Sequence, residues 1–317
     1  MSEPEDRRNT KRTVRLRRLL SSLFGLGTLA IVTISAIVLL LPPAERERRL
    51  ISLKRHYHVW LASLDRPMPG TPDLTRFDQR LTEKGMALGA PIFMRIFKRD
   101  FELEIWMLKD GRYELFSTYP ICKWSGLLGP KLKTGDRQAP EGFYSVDRSA
   151  LNPNSRWRRS FNLGFPNAYD RAHGRTGSFL MVHGGCGSIG CYAMTNDVID
   201  EIWTIVTRAL DGGQKRFQVQ VFPFRMTEAN LSRFGGSQWD SYWANLKTGH
   251  DLFEAERLPP VVGVCGKTYA FSSGAKARDV TGPVLAQCPA DPVESSLPRR
   301  RSGGVAMMPQ PAELAAD

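Results

Sequence analysis

The chain is sparing with the side chains that most enzyme chemistry uses. Five histidines and five cysteines are spread over 317 residues, no CxxC spacing occurs, and no segment repeats. Few groups can therefore serve as a general base. His56 and His58 fall in a candidate linker helix and His250 in a C-terminal extension, which leaves His173 and His183. An odd number of cysteines means that, in an oxidising compartment, at least one thiol is unpaired or pairs between chains. Cys265 and Cys288 form a candidate disulfide, and Cys122 reads as a buried small hydrophobe at the end of a strand. No RNA- or DNA-binding signature accompanies the formal charge of +12, so nucleic acid is not implied as a partner. The 42% hydrophobic and 10% aromatic content is ordinary for a packed core.

Charge and hydropathy are unevenly placed. Residues 1–18 carry Arg7, Arg8, Lys11, Arg12, Arg15, Arg17 and Arg18 against Glu3, Glu5 and Asp6, a third of the net charge. Leu19–Leu41 follows, 23 residues without a charge, enough to cross about 30 Å of hydrocarbon as a helix. Its length exceeds a signal-peptide core and no clear small-x-small cleavage site precedes Pro42, so an uncleaved anchor is expected. The basic tail then stays in the cytoplasm by the positive-inside rule. The remainder, 42–317, lies on the far side of the inner membrane, in the periplasm.

Periodicity divides what remains. A helical linker over 42–88 carries an apolar stripe at Leu50, Leu53, Tyr57, Trp60, Leu61 and Leu64, and a second helix opens at Thr71-Pro72. From Ala90 the period becomes two, through Ile92, Met94 and Ile96 and again through Leu103, Ile105 and Met107, the signature of antiparallel strands. A loop at 126–142 is rich in Gly, Pro and Lys. A helix capped by Thr195 repeats apolar residues from Val198 to Leu210 until Gly212-Gly213. The expected fold is mainly antiparallel β, a barrel or sandwich over 89–226 with a few α-helices. An aromatic-rich extension (227–271) and a disordered tail (272–317) follow.

The stretch that stands out is His183-Gly184-Gly185-Cys186-Gly187-Ser188-Ile189-Gly190-Cys191-Tyr192, between a strand and a helix. Thiols act as nucleophiles through the thiolate, which a nearby imidazole or helix N-terminus favours. Glycines let the backbone bend so that His183 can fold back towards Cys191 and let amides point at an oxyanion. Other readings stay open: a Cys186–Cys191 disulfide, Cys186 as nucleophile, a metal held by His183, Cys186 and Cys191, or a histidine that merely satisfies a turn. The missing fourth strong ligand argues against zinc.

Extended to Ala193-Met194-Thr195, this stretch resembles the catalytic motif of the YkuD-type L,D-transpeptidase family, and more closely its YafK-like branch. Gly129-Pro130-Lys131 with Gly135-Asp136 and Pro140-Glu141-Gly142, then Phe165–Gly177, match further family segments in order, over roughly residues 90–225. The resemblance implies that Cys191 attacks an amide carbonyl while His183 takes and returns the proton. Ser188 would orient the imidazole, and the amides of Gly190 and Cys191 would hold the oxyanion. The substrate implied is the third residue of a peptidoglycan stem peptide, with no metal and no organic cofactor. Lys131, Tyr169, Arg171, His173 and Arg175 are candidate substrate-binding residues. Three departures are specific: Ile189 replaces the wider family's second histidine, Ala193 stands where Arg or Asn is usual, and Cys191 follows His183 by only eight residues. All fit the YafK-like branch, where the resemblance suggests hydrolysis of the bond joining an outer-membrane lipoprotein to peptidoglycan. A non-catalytic wall-binding protein and an unrelated exported cysteine protease are the remaining alternatives.

Overall fold

The structure, a computed structural model, describes residues 40–277 and 282–293 together with Thr28. The basic tail and nearly all of the expected anchor Leu19–Leu41 lie outside the described residues. Among those described, no helix is long and apolar enough to cross a membrane. The chain divides into two units, one ending at Arg66 and one beginning at Pro67.

The first unit contributes α1 (Pro43–Ser63), which starts on a proline whose missing N–H costs nothing in a first turn. Of its expected apolar stripe only Leu61 is buried; Leu50, Leu53, Tyr57, Trp60 and Leu64 are exposed.

In the second unit the first helical turn opens two residues later than Thr71-Pro72 predicts, with Asp73 as its N-cap. The Asp73 carboxylate accepts the Thr75 N–H and starts a 3-10 turn that runs into α2 (Phe77–Glu83). Then come β1 (Ile92–Phe97), β2 (Glu102–Lys109), β3 (Arg112–Pro120), β4 (Lys123–Trp124), β5 (Gly142–Asp147), β6 (Leu151–Asn152) and β7 (Ser160–Asn162). They are followed by α3 (Ala168–Ala172), β8 (Met181–His183), β9 (Tyr192–Ala193), α4 (Asn196–Asp211) and β10 (Arg216–Phe222). The chain ends with α5 (Glu228–Phe234), α6 (Asp240–Glu256), β11 (Val261–Cys265) and β12 (Thr268–Ser272).

These strands form two open five-stranded sheets, β3-β2-β1-β10-β5 and β4-β9-β8-β7-β6, and the hairpin β11-β12. This corrects the expected antiparallel barrel. Among the described residues no barrel closes, and each large sheet holds one parallel pair, β1 with β10 and β8 with β9. Period-two alternation reports a strand but not its direction, which the connection decides. β10 reaches β1 only after α4, the kind of long crossover that parallel strands need.

Every residue of β1 is buried, as expected for a strand covered on both faces. One cover is α6. Phe253 lies 4.4 Å from Phe93, and the buried Arg95 pairs with Glu104 and Glu254 while its guanidinium stacks 4.7 Å over Trp106. The region read as an extension is thus part of the core, where Tyr242, Trp243 and Leu246 pack with Phe97, Phe143 and Phe222. Within the stretch expected to be disordered, residues 282–293 hold to the hairpin: Leu285 N–H donates to Val262 O, and Cys288 is bonded to Cys265.

The loop 126–142 is held from below by a fully buried ion pair. Lys98 Nζ donates to Glu141 and to the carbonyls of Leu127, Gly129 and Ala139 at 2.8–3.0 Å. Glu141 also accepts from the Gly129 N–H and the Trp243 Nε1–H. A buried charge is tolerable when its partners are this complete. The loop's end is tied to β9, whose Tyr192 hydroxyl donates to Pro140 O at 2.6 Å.

Candidate active site

β8 and β9 run parallel with Val182 opposite Tyr192 and His183 opposite Ala193. Only Gly184–Cys191 joins them, eight residues where a parallel crossover commonly takes a dozen or more. Backbone of positive φ makes the short return: Gly185 at 82°, Gly190 at 124° and, unusually for a side chain, Cys186 at 52°. Strand alternation then sorts the side chains. Val182 and Tyr192 point into the core and are fully buried. Met181, His183 and Cys191 face a cavity of about 700 Å³.

The cysteines are now sorted. Cys186 is bonded to Cys122, so it is not the nucleophile, and the metal set of His183, Cys186 and Cys191 loses a ligand. Cys122 is buried as expected but is a disulfide partner rather than a hydrophobe. Cys191 is a free thiol, half-buried. Its Sγ accepts the Met181 N–H at 3.4 Å and lies 3.7 Å from Phe179 O.

His183 lines the same cavity. Its Nδ1 lies 2.6 Å from Gly184 O. A carbonyl only accepts, so Nδ1 carries the proton and Nε2 keeps the lone pair of a base. Burial lowers the imidazole pKa below its ordinary value, against the pull of that bond. Burial likewise raises the Cys191 thiol, while the Met181 N–H and the charge of Lys131 draw it back down. Both shifts favour a neutral thiol and a neutral imidazole. α4 begins at Asn196 behind its N-cap Thr195, as its apolar period predicts, and follows β9.

Ser188 does not touch the imidazole. Its hydroxyl donates to Cys191 O at 2.7 Å, accepts the Gly190 N–H at 3.3 Å and meets Ser125 Oγ at 3.2 Å. It shapes the loop, and the orienting role expected of it falls to Gly184 O.

Trp157 is a member of the site that the motif does not reveal. Its ring lies 6.0 Å from the His183 ring, and a Cβ on Gly185 would stand 2.6 Å from it. Its carbonyl accepts the Gly184 N–H at 3.1 Å. Two of the loop glycines, 185 and 187, are therefore seats for an indole as well as bends.

The candidate substrate-binding residues do not line this cavity. Lys131 is bound to Asp136 and to Lys133 O and acts on Cys191 only through its charge. Tyr169 is buried and stacks on Tyr269 at 4.1 Å. Arg171 donates to Pro166 O. His173 stacks 4.3 Å from Tyr169 and its Nε2 lies 2.7 Å from Lys267 O. Arg175 pairs with the buried Asp170 at 2.8 Å.

Comparison with known proteins places this geometry. The family model of the YkuD L,D-transpeptidase catalytic domain matches residues 104–221, from β2 to β10. The Escherichia coli K12 protein named "Putative L,D-transpeptidase YafK" is 49% identical over 203 residues, 64% of this chain and 82% of that protein. Its Escherichia coli O157:H7 counterpart gives the same figures. Among solved structures, the helical cell shape determining protein Pgp2 from Campylobacter jejuni is 22% identical. It covers 57% of this chain and 68% of that one, with a TM-score of 0.35.

Proposed function

This chain belongs to the L,D-transpeptidase catalytic-domain family, and on that footing we propose that it is a periplasmic cysteine acyltransferase that works on peptidoglycan stem peptides through an acyl-enzyme on Cys191. The observation that carries the reading is that the one free thiol among the described residues and a histidine bound through Nδ1 to Gly184 O line one cavity. Since both groups rest neutral, His183 Nε2 takes the thiol proton as Sγ attacks the donor carbonyl. The oxyanion forms beside the Gly190 and Cys191 amides. Collapse breaks the C–N bond, and the leaving amine takes the proton from the imidazolium. An amine or a water then attacks the thioester, giving transfer or hydrolysis.

The disulfides Cys122–Cys186 and Cys265–Cys288 support an oxidising compartment. Leu19–Leu41 supports single-pass anchoring in the inner membrane.

Intact-mass measurement after incubation with a carbapenem or a stem tetrapeptide tests the chemistry. One adduct on Cys191 is expected, and none on the Cys191→Ala chain. Muropeptide analysis then separates new cross-links from released stem fragments or lipoprotein. A chain that gains no adduct from either reagent and leaves muropeptides unchanged is not this enzyme.

A further inference from the structure

We propose that Lys123 and Arg156 bind two carboxylates of the donor peptide, one on each side of the amide that Cys191 attacks. The identity of that amide rests on the function proposed above; the charge reading does not.

The sheet order sets the placement. β9 and β8 are neighbours in β4-β9-β8-β7-β6, so Cys191 and His183 stand near the middle of the sheet. Lys123 comes from β4 at one edge. It pairs with Ala193, two residues along from Cys191, while its neighbour Trp124 is fully buried. Alternation therefore puts Lys123 on the face that carries the thiol. Arg156 comes from the connection between β6 and β7, at the opposite edge. Both line the cavity, which has no aspartate or glutamate in its wall.

Charge pairing around the site singles out the same two residues. Arg158 and Arg159 are matched to Asp200, Lys131 to Asp136, and Lys98 to Glu141. Lys123 and Arg156 have no carboxylate partner among the described residues. The Arg156 guanidinium instead stacks 5.4 Å over the ring of Trp157, itself seated on the glycine loop beside His183. Stacking occupies the flat face of a guanidinium and leaves its N–H edge for a bidentate carboxylate, which a lysine ammonium cannot copy. Two unmatched cations flanking a nucleophile in a cavity free of acids select a dianionic peptide over a neutral one.

The test measures binding to the full-length Cys191→Ala chain, which cannot turn over. The ligands are a stem tetrapeptide with one free carboxylate on the acyl side of the attacked amide and one on the leaving side, any further carboxyl being amidated throughout, together with its two mono-amides and its diamide. Lys123→Gln and Arg156→Gln should each weaken the diacid on the order of tenfold, the size of one charge-assisted contact. Each variant should lose its sensitivity to amidation at one carboxylate and keep it at the other. Arg156→Lys should recover only part of the loss. Equal losses for diacid and diamide, unchanged diacid affinity, or no binding to the parent chain overturns the proposal. Because the readout is binding, a wild type that forms no acyl-enzyme while the amidation pattern holds counts against the chemistry and not against this subsite.

Discussion

Two polar clusters in the second unit are built from similar side chains and differ in how their atoms are used. Around α3, Asp170 accepts the Asn167 N–H and the Arg175 guanidinium, and the Asn167 side chain donates to Phe143 O and Tyr269 Oη. Tyr144 donates to Glu141 O, and His173 closes the group on Lys267 O. Around β8 and β9, His183 has one ring nitrogen bound and the other available, Cys191 is free, and Lys123 and Arg156 lack carboxylates. The first cluster is bound mostly by its own chain, Arg175 Nε being the buried atom of it left without a hydrogen bond, and it joins α3 to the hairpin. The second is left incomplete towards a cavity. Buried polar groups that satisfy one another stabilise and specify a fold, whereas open valences aimed at space await a ligand.

Opposite substitutions should separate the two. Cys191→Ala is expected to lower turnover by on the order of 10⁴-fold or more, with the melting temperature nearly unchanged because the thiol is only half-buried. Asp170→Ala should do the reverse. It strands the buried Arg175 charge and removes about 3–5 kcal/mol of stability, measured by denaturant unfolding, while the folded fraction keeps its acylation rate. An Asp170→Ala chain that stays stable but cannot be acylated erases the distinction.

The Cys122–Cys186 disulfide crosses it. With its cysteines 64 positions apart, its removal is expected to cost about 4 kcal/mol through unfolded-state entropy. It also frees the loop that holds His183 to Cys191. A Cys122→Ser, Cys186→Ser chain, compared with wild type below its unfolding midpoint, should acylate more slowly. Equal rates there would confine the bond to stability.

How much of this was legible in the sequence follows the range of the interactions. The thiol, the base and the glycine bends lie within nine residues, so the motif displayed them. The strands from β1 to β3 and α4 showed through their periods. Direction of pairing did not show, because β1 meets β10 and β8 meets β9 only through crossovers. Trp157, Lys123 and Arg156 reach the site from other strands by sheet order, and no local spacing records that. Cys122 lies 64 residues before Cys186, too far for its partner to be read. Tyr169, His173 and Arg175 were selected as site residues by likeness to family segments, which marks conserved structure and conserved chemistry alike.

The pH dependence should be smaller than these losses and has a definite sign. Burial depresses the His183 pKa, so the base is competent through neutrality and is lost only as pH falls below the ordinary imidazole range. Burial raises the Cys191 thiol, so simple thiolate formation comes only above the ordinary thiol range. Acylation should therefore rise with pH on an acid limb that lies below the ordinary imidazole range and then stay level through neutrality. Alkylation of the thiol by iodoacetamide should keep climbing into the alkaline range. Rapid alkylation at pH 6 would instead indicate a thiolate–imidazolium pair.

The smallest effect discriminates most finely between the clusters. His173→Ala removes one hydrogen bond to Lys267 O and one stacking contact with Tyr169, together about 1–2 kcal/mol. Its ring nitrogens belong to the join between α3 and the turn of β11 and β12, and not to the cavity. KM and kcat should hold within about twofold while the unfolding midpoint drops. A KM raised tenfold at unchanged stability would put His173 in contact with substrate, and the cluster around α3 would then have to open during turnover.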